Sequence, residues 1–184
     1  MYGPSAKDMQ LPGQGGAQPG GNQKKAADPG RLPPGVGGRM PAHLWTGMCE
    51  QMCAAAIRDK NNYLDLSGLA KIRWFDRVSG MHHIHPMVKL ADGTWLVSEY
   101  GDGSEFDYHV AEFTLSEFRW IRLDIDRVVT HGRWLSPTEA DAALAKVDEF
   151  GFTDLMPGSG HGNGGWMDMG WIEVYGKAVP RTSH

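Results

Sequence analysis

The part of this chain that most limits its fold is Lys146-Val-Asp-Glu-Phe-Gly-Phe-Thr-Asp-Leu-Met-Pro157, followed by Gly158-Ser-Gly-His-Gly-Asn-Gly-Gly-Trp166 and then Met167 to Val179. It reads as strand, loop, strand. Phe150 and Phe152 fall on one face of the first strand. In the second, Ile172 and Val174 point one way while Trp171, Glu173 and Tyr175 point the other, the two-residue period of a half-buried strand. Five glycines between Pro157 and Trp166 cannot propagate a helix, so the two strands are joined by a loop. The domain therefore closes on a strand whose outer face carries two aromatic rings and a carboxylate, a set suited to stacking on a flat polar ligand.

Upstream, strand signals dominate. Ala54, Ala55, Ala56 and Ile57 form a short apolar run that stops at the turn cluster Asp59-Lys-Asn-Asn62. From Leu69 to Phe75, Ala70, Ile72 and Trp74 share one face and Lys71 and Arg73 the other. Met87 to Tyr100 is a hairpin signal: Asp92-Gly93 as a two-residue turn pairs Leu90 with Trp95 and Val88 with Val97. Between Glu117 and Ile125, the alternation sets Ile121, Leu123 and Ile125 inward and Trp120, Arg122 and Asp124 outward. One segment reads as helix, residues 136–146, with Ser136 as N-cap, Pro137 at the first position and Glu139 in the first turn. Seven or eight strands and one short helical insert predict an all-β fold, an antiparallel β-sandwich of jelly-roll type.

Composition sets the domain limits. Residues 1–41 hold 10 of the 25 glycines and 7 of the 11 prolines, with few large apolar side chains, and read as a disordered tail. Residues 42–180 form the expected sandwich domain and 181–184 a short C-terminal tail. Lys7, Lys24, Lys25, Arg31 and Arg39 against Asp8 and Asp28 give the tail a charge of +3. The whole chain carries −4, so about −7 is left for residues 42–184, which argues against nucleic acid as the partner of the folded part. No apolar run reaches the ~18–20 residues of a membrane span. Cys49 and Cys53, four apart, read as two semi-buried thiols or as a short-loop disulfide in an exported protein.

Several segments taken together carry a resemblance. Leu64-Asp-Leu-Ser67, Arg119-Trp-Ile-Arg-Leu-Asp-Ile125, Ala145-Lys-Val-Asp-Glu-Phe-Gly-Phe-Thr153 and Met167-Asp-Met-Gly-Trp-Ile-Glu-Val-Tyr-Gly176 follow one another in an order similar to the closing half of galactose-binding-like carbohydrate-binding modules. The match covers about residues 63–179. It departs from the pattern in the long 158–165 loop and in Met81-His-His-Ile-His-Pro86. The resemblance implies a galactose-binding-like jelly roll that recognises glycans without catalysis and is secreted or periplasmic.

Against that frame, the expected ligand-binding residues are Trp120, Arg122, Asp124, His161, Asn163, Trp166, Trp171 and Glu173. Hydroxyl-rich ligands need such polar groups beside an apolar ring. Asp154 and Asp168, at the two ends of the glycine loop, would hold a structural calcium with loop carbonyls; no other cofactor is expected. His82, His83 and His85 are a second metal candidate, because imidazoles two apart on a strand share a face. They also support an alternative reading, a small hydrolase or lyase acting on sugar derivatives, with His83, His85 or His161 as acid/base or metal ligand. A third reading is an assembly subunit that self-associates through its tail. Gly160-His-Gly-Asn-Gly-Gly165 matches the spacing of a dinucleotide loop, but a strand rather than a helix follows, so no helix N-terminus is there to hold a pyrophosphate. Ser159 lacks the strand-to-helix elbow of a serine hydrolase.

Overall fold

A computed structural model describes residues 44–45, 52–79, 82–103, 105–156 and 166–181. The proposed tail, residues 1–41, lies outside them. The described part is an antiparallel β-sandwich of two sheets, as the strand pattern predicts. The first sheet has the order β1-β11-β4-β7 and is built from β1 (Leu44–Trp45), β4 (Lys71–Ser79), β7 (Glu105–Thr114) and β11 (Trp166–Tyr175). The second has the order β12-β3-β10-β5-β6-β8-β9. Its strands are β3 (Asn62–Asp65), β5 (Ile84–Leu90), β6 (Trp95–Ser98), β8 (Trp120–Asp124), β9 (Val129–His131), β10 (Val147–Asp154) and β12 (Lys177–Pro180). β2 (Cys53–Ile57) also pairs with β10.

The shared core lies between the sheets. β4 contributes Ile72, Trp74 and Val78, β7 contributes Ala111 and Phe113, and β11 contributes Met167 and Met169. Ile84, Val88, Leu96, Trp120, Val147, Phe150 and Phe152 face them from the second sheet. A second cluster of Ala54, Met87, Trp95, Val97, Ile121, Leu123 and Val128 also uses residues of the second sheet. Both faces of that sheet are thus apolar, and this changes two expectations. Trp120 is not an outward ring. It is fully buried in the shared core, its indole N–H 3.3 Å from the Leu115 carbonyl, while Ile121 and Leu123 bury themselves on the opposite face. The hairpin is also shifted by one residue, with Lys89 opposite Trp95, Val88 opposite Leu96 and Met87 opposite Val97. Its turn spans Ala91 to Gly93, closed by the Leu90 N–H to the Thr94 carbonyl at 2.8 Å, with Gly93 at φ +91°. The three-residue loop absorbs its extra residue at a left-handed glycine, and the shift sends Val88 and Val97 to different faces.

The helix α1 (Pro137–Leu144) forms where expected. Ser136 and Glu139 exchange side-chain and backbone hydrogen bonds in a capping box, and Ala140 and Leu144 are buried. The closing strand is divided at Gly176. Residues up to Tyr175 belong to the first sheet, and Lys177 onward pairs with β3 in the second. A Cβ at Gly176 would come 2.7 Å from the Asp65 carbonyl oxygen, so the crossing between sheets requires glycine. Cys53 is disulfide-bonded; Cys49, the one other cysteine, lies outside the described residues. None of the described helices is long and apolar enough to cross a membrane.

Candidate binding face and polar cluster

Alternation along β4 buries Ile72, Trp74, Asp76 and Val78 and leaves Lys71, Arg73, Phe75 and Arg77 on the outer face of the first sheet. On β7 the corresponding outer residues are Tyr108, Val110 and Glu112. On β11 they are Trp166, Asp168, Trp171, Glu173 and Tyr175, the bulge between Met169 and Trp171 resetting the phase. Ile172 and Val174 pack against the core, in agreement with the sequence pattern. Gly170 makes room for Phe75, whose ring a Cβ would approach to 2.7 Å.

The rings on this face are ordered across three strands. Phe75 stacks on Tyr108 at 4.8 Å and 22° on one side, and on Trp171 at 5.9 Å and 17° on the other. Cations lace the row. Arg77 lies 4.8 Å from the Tyr108 ring centroid and 5.1 Å from that of Trp166, Arg73 lies 5.7 Å from Trp171, and Lys71 5.0 Å from Tyr175. Carboxylates hold the cations: Arg77 donates to Asp168 at 2.7 and 3.0 Å, and Arg73 pairs with Glu173 at 3.2 Å and Glu112 at 3.1 Å. The Tyr175 hydroxyl donates to Glu173 at 2.9 Å. The Tyr108 hydroxyl sits beside Asp168 and Arg77 without a hydrogen bond of ordinary geometry to either; burial first, and then the Asp168 charge, pushes it up to about 12. Because Phe75 is flanked by Tyr108 and Trp171, a flat ligand would meet Trp166, Trp171 or Tyr175, each of which also has a cation at its ring.

The expected site residues are therefore divided. Trp166, Trp171 and Glu173 share the outer face of the first sheet. Arg122 and Asp124 sit on β8 of the second sheet, Arg122 exposed and Asp124 capping a turn through the Asp126 and Arg127 amides at 3.1 and 3.2 Å. His161 and Asn163 lie outside the described residues. Asp154 and Asp168 stand in different sheets with separate partners. Asp154 is buried against His82 Nδ1 and accepts the Met156 N–H at 2.8 Å, and burial raises its carboxyl above the usual range; Asp168 serves Arg77. The loop carbonyls a calcium would need lie outside the described residues. His82 is fully buried, His83 exposed, and the His85 imidazole is lowered by burial.

Sequence reasoning missed a third arrangement. Asp76 on β4, His109 opposite it on β7, and Asp102 converge between the sheets, their ligand atoms all within 4.8 Å of one another. Asp102 belongs to the second sheet through an isolated bridge, its amide and carbonyl each 2.9 Å from those of Ile84. Its Oδ2 accepts the Trp74 indole N–H at 2.6 Å and its Oδ1 lies 3.1 Å from His109 Nε2. Asp76 has no exposed surface, and burial first, with the Asp102 charge second, pushes its carboxyl up to about 8. The available signal was an Asp two residues after Trp74, and a His two before Ala111, on strand faces otherwise apolar.

No protein-family model and no curated protein matches this chain. Among solved structures, its fold is similar to that of a family 11 carbohydrate-binding module of the cellulosomal cellulase Lic26A-Cel5E of Clostridium thermocellum, at 15% identity over 77% of this chain and 75% of that one, with a TM-score of 0.41.

Proposed function

We propose that this protein is a non-catalytic glycan-binding domain, and that it binds an extended oligosaccharide along the outer face of β11. The observation that carries the reading is the line of Trp166, Trp171 and Tyr175 on one face of one strand, flanked by the Arg77–Asp168 and Arg73–Glu173 pairs. At the rise of a β-strand, successive rings lie roughly 13–17 Å apart, too far for one sugar residue and suited to several in a row. Aromatic faces take the apolar face of a pyranose, and the charged pairs offer donors and acceptors to its hydroxyls. The disulfide at Cys53 supports an oxidising compartment and hence export, secreted or periplasmic.

The test is a titration against a glycan panel, followed by intrinsic tryptophan fluorescence. The reading expects saturable quenching or a spectral shift with at least one oligosaccharide, and weaker response to its monosaccharide. No response across the panel would refute it.

A further inference from the structure

The cluster of Asp76, Asp102 and His109 has no part in the proposed glycan face, because all three lie between the sheets. Asp76 is completely buried, and neither of its carboxylate oxygens has a hydrogen-bond partner. A buried carboxyl with nothing to bond is costly unless a proton, a water or an ion answers it, and an ion is the answer that also uses the two ligand groups beside it. The group that faces it is His109, whose Nε2 lies 3.8 Å from Asp76 Oδ1 and 3.1 Å from Asp102 Oδ1. A tetrahedral zinc with bonds of ~2.0–2.1 Å sets its ligand atoms about 3.3 Å apart. Those two separations bracket that value, and all three ligand atoms lie within 4.8 Å of one another.

We infer that Asp76, Asp102 and His109 form a binding site for a divalent transition metal of the zinc class, with one imidazole and two carboxylate ligands. The donor set decides the class. Calcium takes six to eight oxygens, whereas a mixed nitrogen and oxygen set of three suits zinc, with water completing the shell. The Trp74 indole, donating to Asp102 Oδ2, fixes that carboxylate and leaves Oδ1 for the metal. The His109 side chain is 30% exposed, which gives the ion a route in from solvent. Asp76 and His109 belong to the first sheet and Asp102 is bridged to the second, so the ion would pin one sheet to the other.

Full-length protein treated with a chelator is titrated with Zn²⁺, Ca²⁺ and Mg²⁺ by calorimetry, and its thermal unfolding is followed with and without each ion. Zinc is expected to bind at one equivalent and to multiply the folded-to-unfolded ratio by about 100 when present at 100 times its dissociation constant. Calcium and magnesium are expected not to compete with zinc for this site. Cobalt bound in place of zinc gives visible absorption bands that report its geometry. Asp76→Asn keeps the shape, takes away the carboxylate that would ligate the metal, and is expected to unfold no earlier than the metal-free parent while losing at least tenfold in zinc affinity. His109→Gln, at a partly exposed position, gives a second variant with the same expected loss. Absence of zinc binding by the parent overturns the inference. Equal zinc binding by the parent and both variants also overturns it, since the ion then sits on other histidines.

Discussion

Gly151→Ala gives a stability test worked directly from the geometry. Gly151 lies in β10 between two neighbours, with Ala56 of β2 on one side and Met87 of β5 on the other. A Cβ there would fall 1.9 Å from the Ala55 carbonyl oxygen, 2.7 Å from the Ala56 Cα and 2.8 Å from the Ala55 carbonyl carbon. These are main-chain atoms, so no rotamer change relieves the contact. Ordinary contact begins at 3.4 Å, so β2 must move by about 1.5 Å against the oxygen. That displacement breaks β2–β10 hydrogen bonds at a cost of about 1 kcal/mol each, added to the 1–3 kcal/mol of an overpacked interior. A total of roughly 3–5 kcal/mol is expected, a large share of a typical domain's 5–15 kcal/mol. The control is Gly93→Ala, where φ is +91° and nothing lies within 4 Å of the added carbon. It should cost only about 1 kcal/mol, for the left-handed backbone alone. Urea unfolding of the two variants beside the parent measures both. A Gly151→Ala protein within 1 kcal/mol of the parent, or less affected than Gly93→Ala, would refute this account of β2 packing.

Three further outcomes follow. Trp74→Phe removes the 2.6 Å hydrogen bond to Asp102 and leaves a gap beside Phe113, whose ring meets Trp74 edge-on at 4.8 Å; it should lower stability by about 2–4 kcal/mol in urea unfolding. Ser136→Ala deletes the helix cap and should cost about 1 kcal/mol by the same measurement. Glu139 is held well below the usual carboxylate range, first by Arg133 and then by the Ser136 amide. A depressed carboxylate adds stability above its unfolded value and loses it as the pH falls through the folded one. The stability difference between the parent and Glu139→Gln should therefore be full at neutral pH and shrink progressively as the pH falls below the unfolded value of 4.5, and NMR titration of Glu139 should show the depressed midpoint.

The sequence patterns that proved legible were local. The Ser136-Pro137-Glu139 signal places α1, and alternation at Trp171 to Tyr175 assigns the outer and inner faces of β11. Where a strand is covered on both sides, alternation loses its meaning. It separates Trp120 from Ile121 and Leu123 correctly but cannot say that Trp120 is buried as well, and so it places that ring outside. β7 was not anticipated, although His109, Ala111 and Phe113 alternate with Tyr108, Val110 and Glu112. The Leu90–Thr94 register depends on one residue of turn length, which Asp92-Gly93 does not fix. Gly176 ends β11 because of a contact with Asp65, more than a hundred residues earlier. The partners of Phe75 and Asp76 are likewise long-range, since register brings Tyr108, Trp171, Asp102 and His109 to them and no spacing in the sequence announces it.

The central claim, a glycan seated along β11, is tested most directly by comparing Trp166→Ala, Trp171→Ala and Trp134→Ala in calorimetric titrations with an oligosaccharide that binds the parent. Trp134 is 38% exposed and lies against Arg119, away from the aromatic row of the first sheet. Stacking contacts are worth about 1–3 kcal/mol when desolvated, so Trp166→Ala and Trp171→Ala should each weaken binding by roughly 5- to 150-fold with the fold intact by circular dichroism. Trp134→Ala should bind as the parent does. Unchanged affinity in both β11 variants, or a loss confined to Trp134→Ala, would contradict the assignment of the binding face.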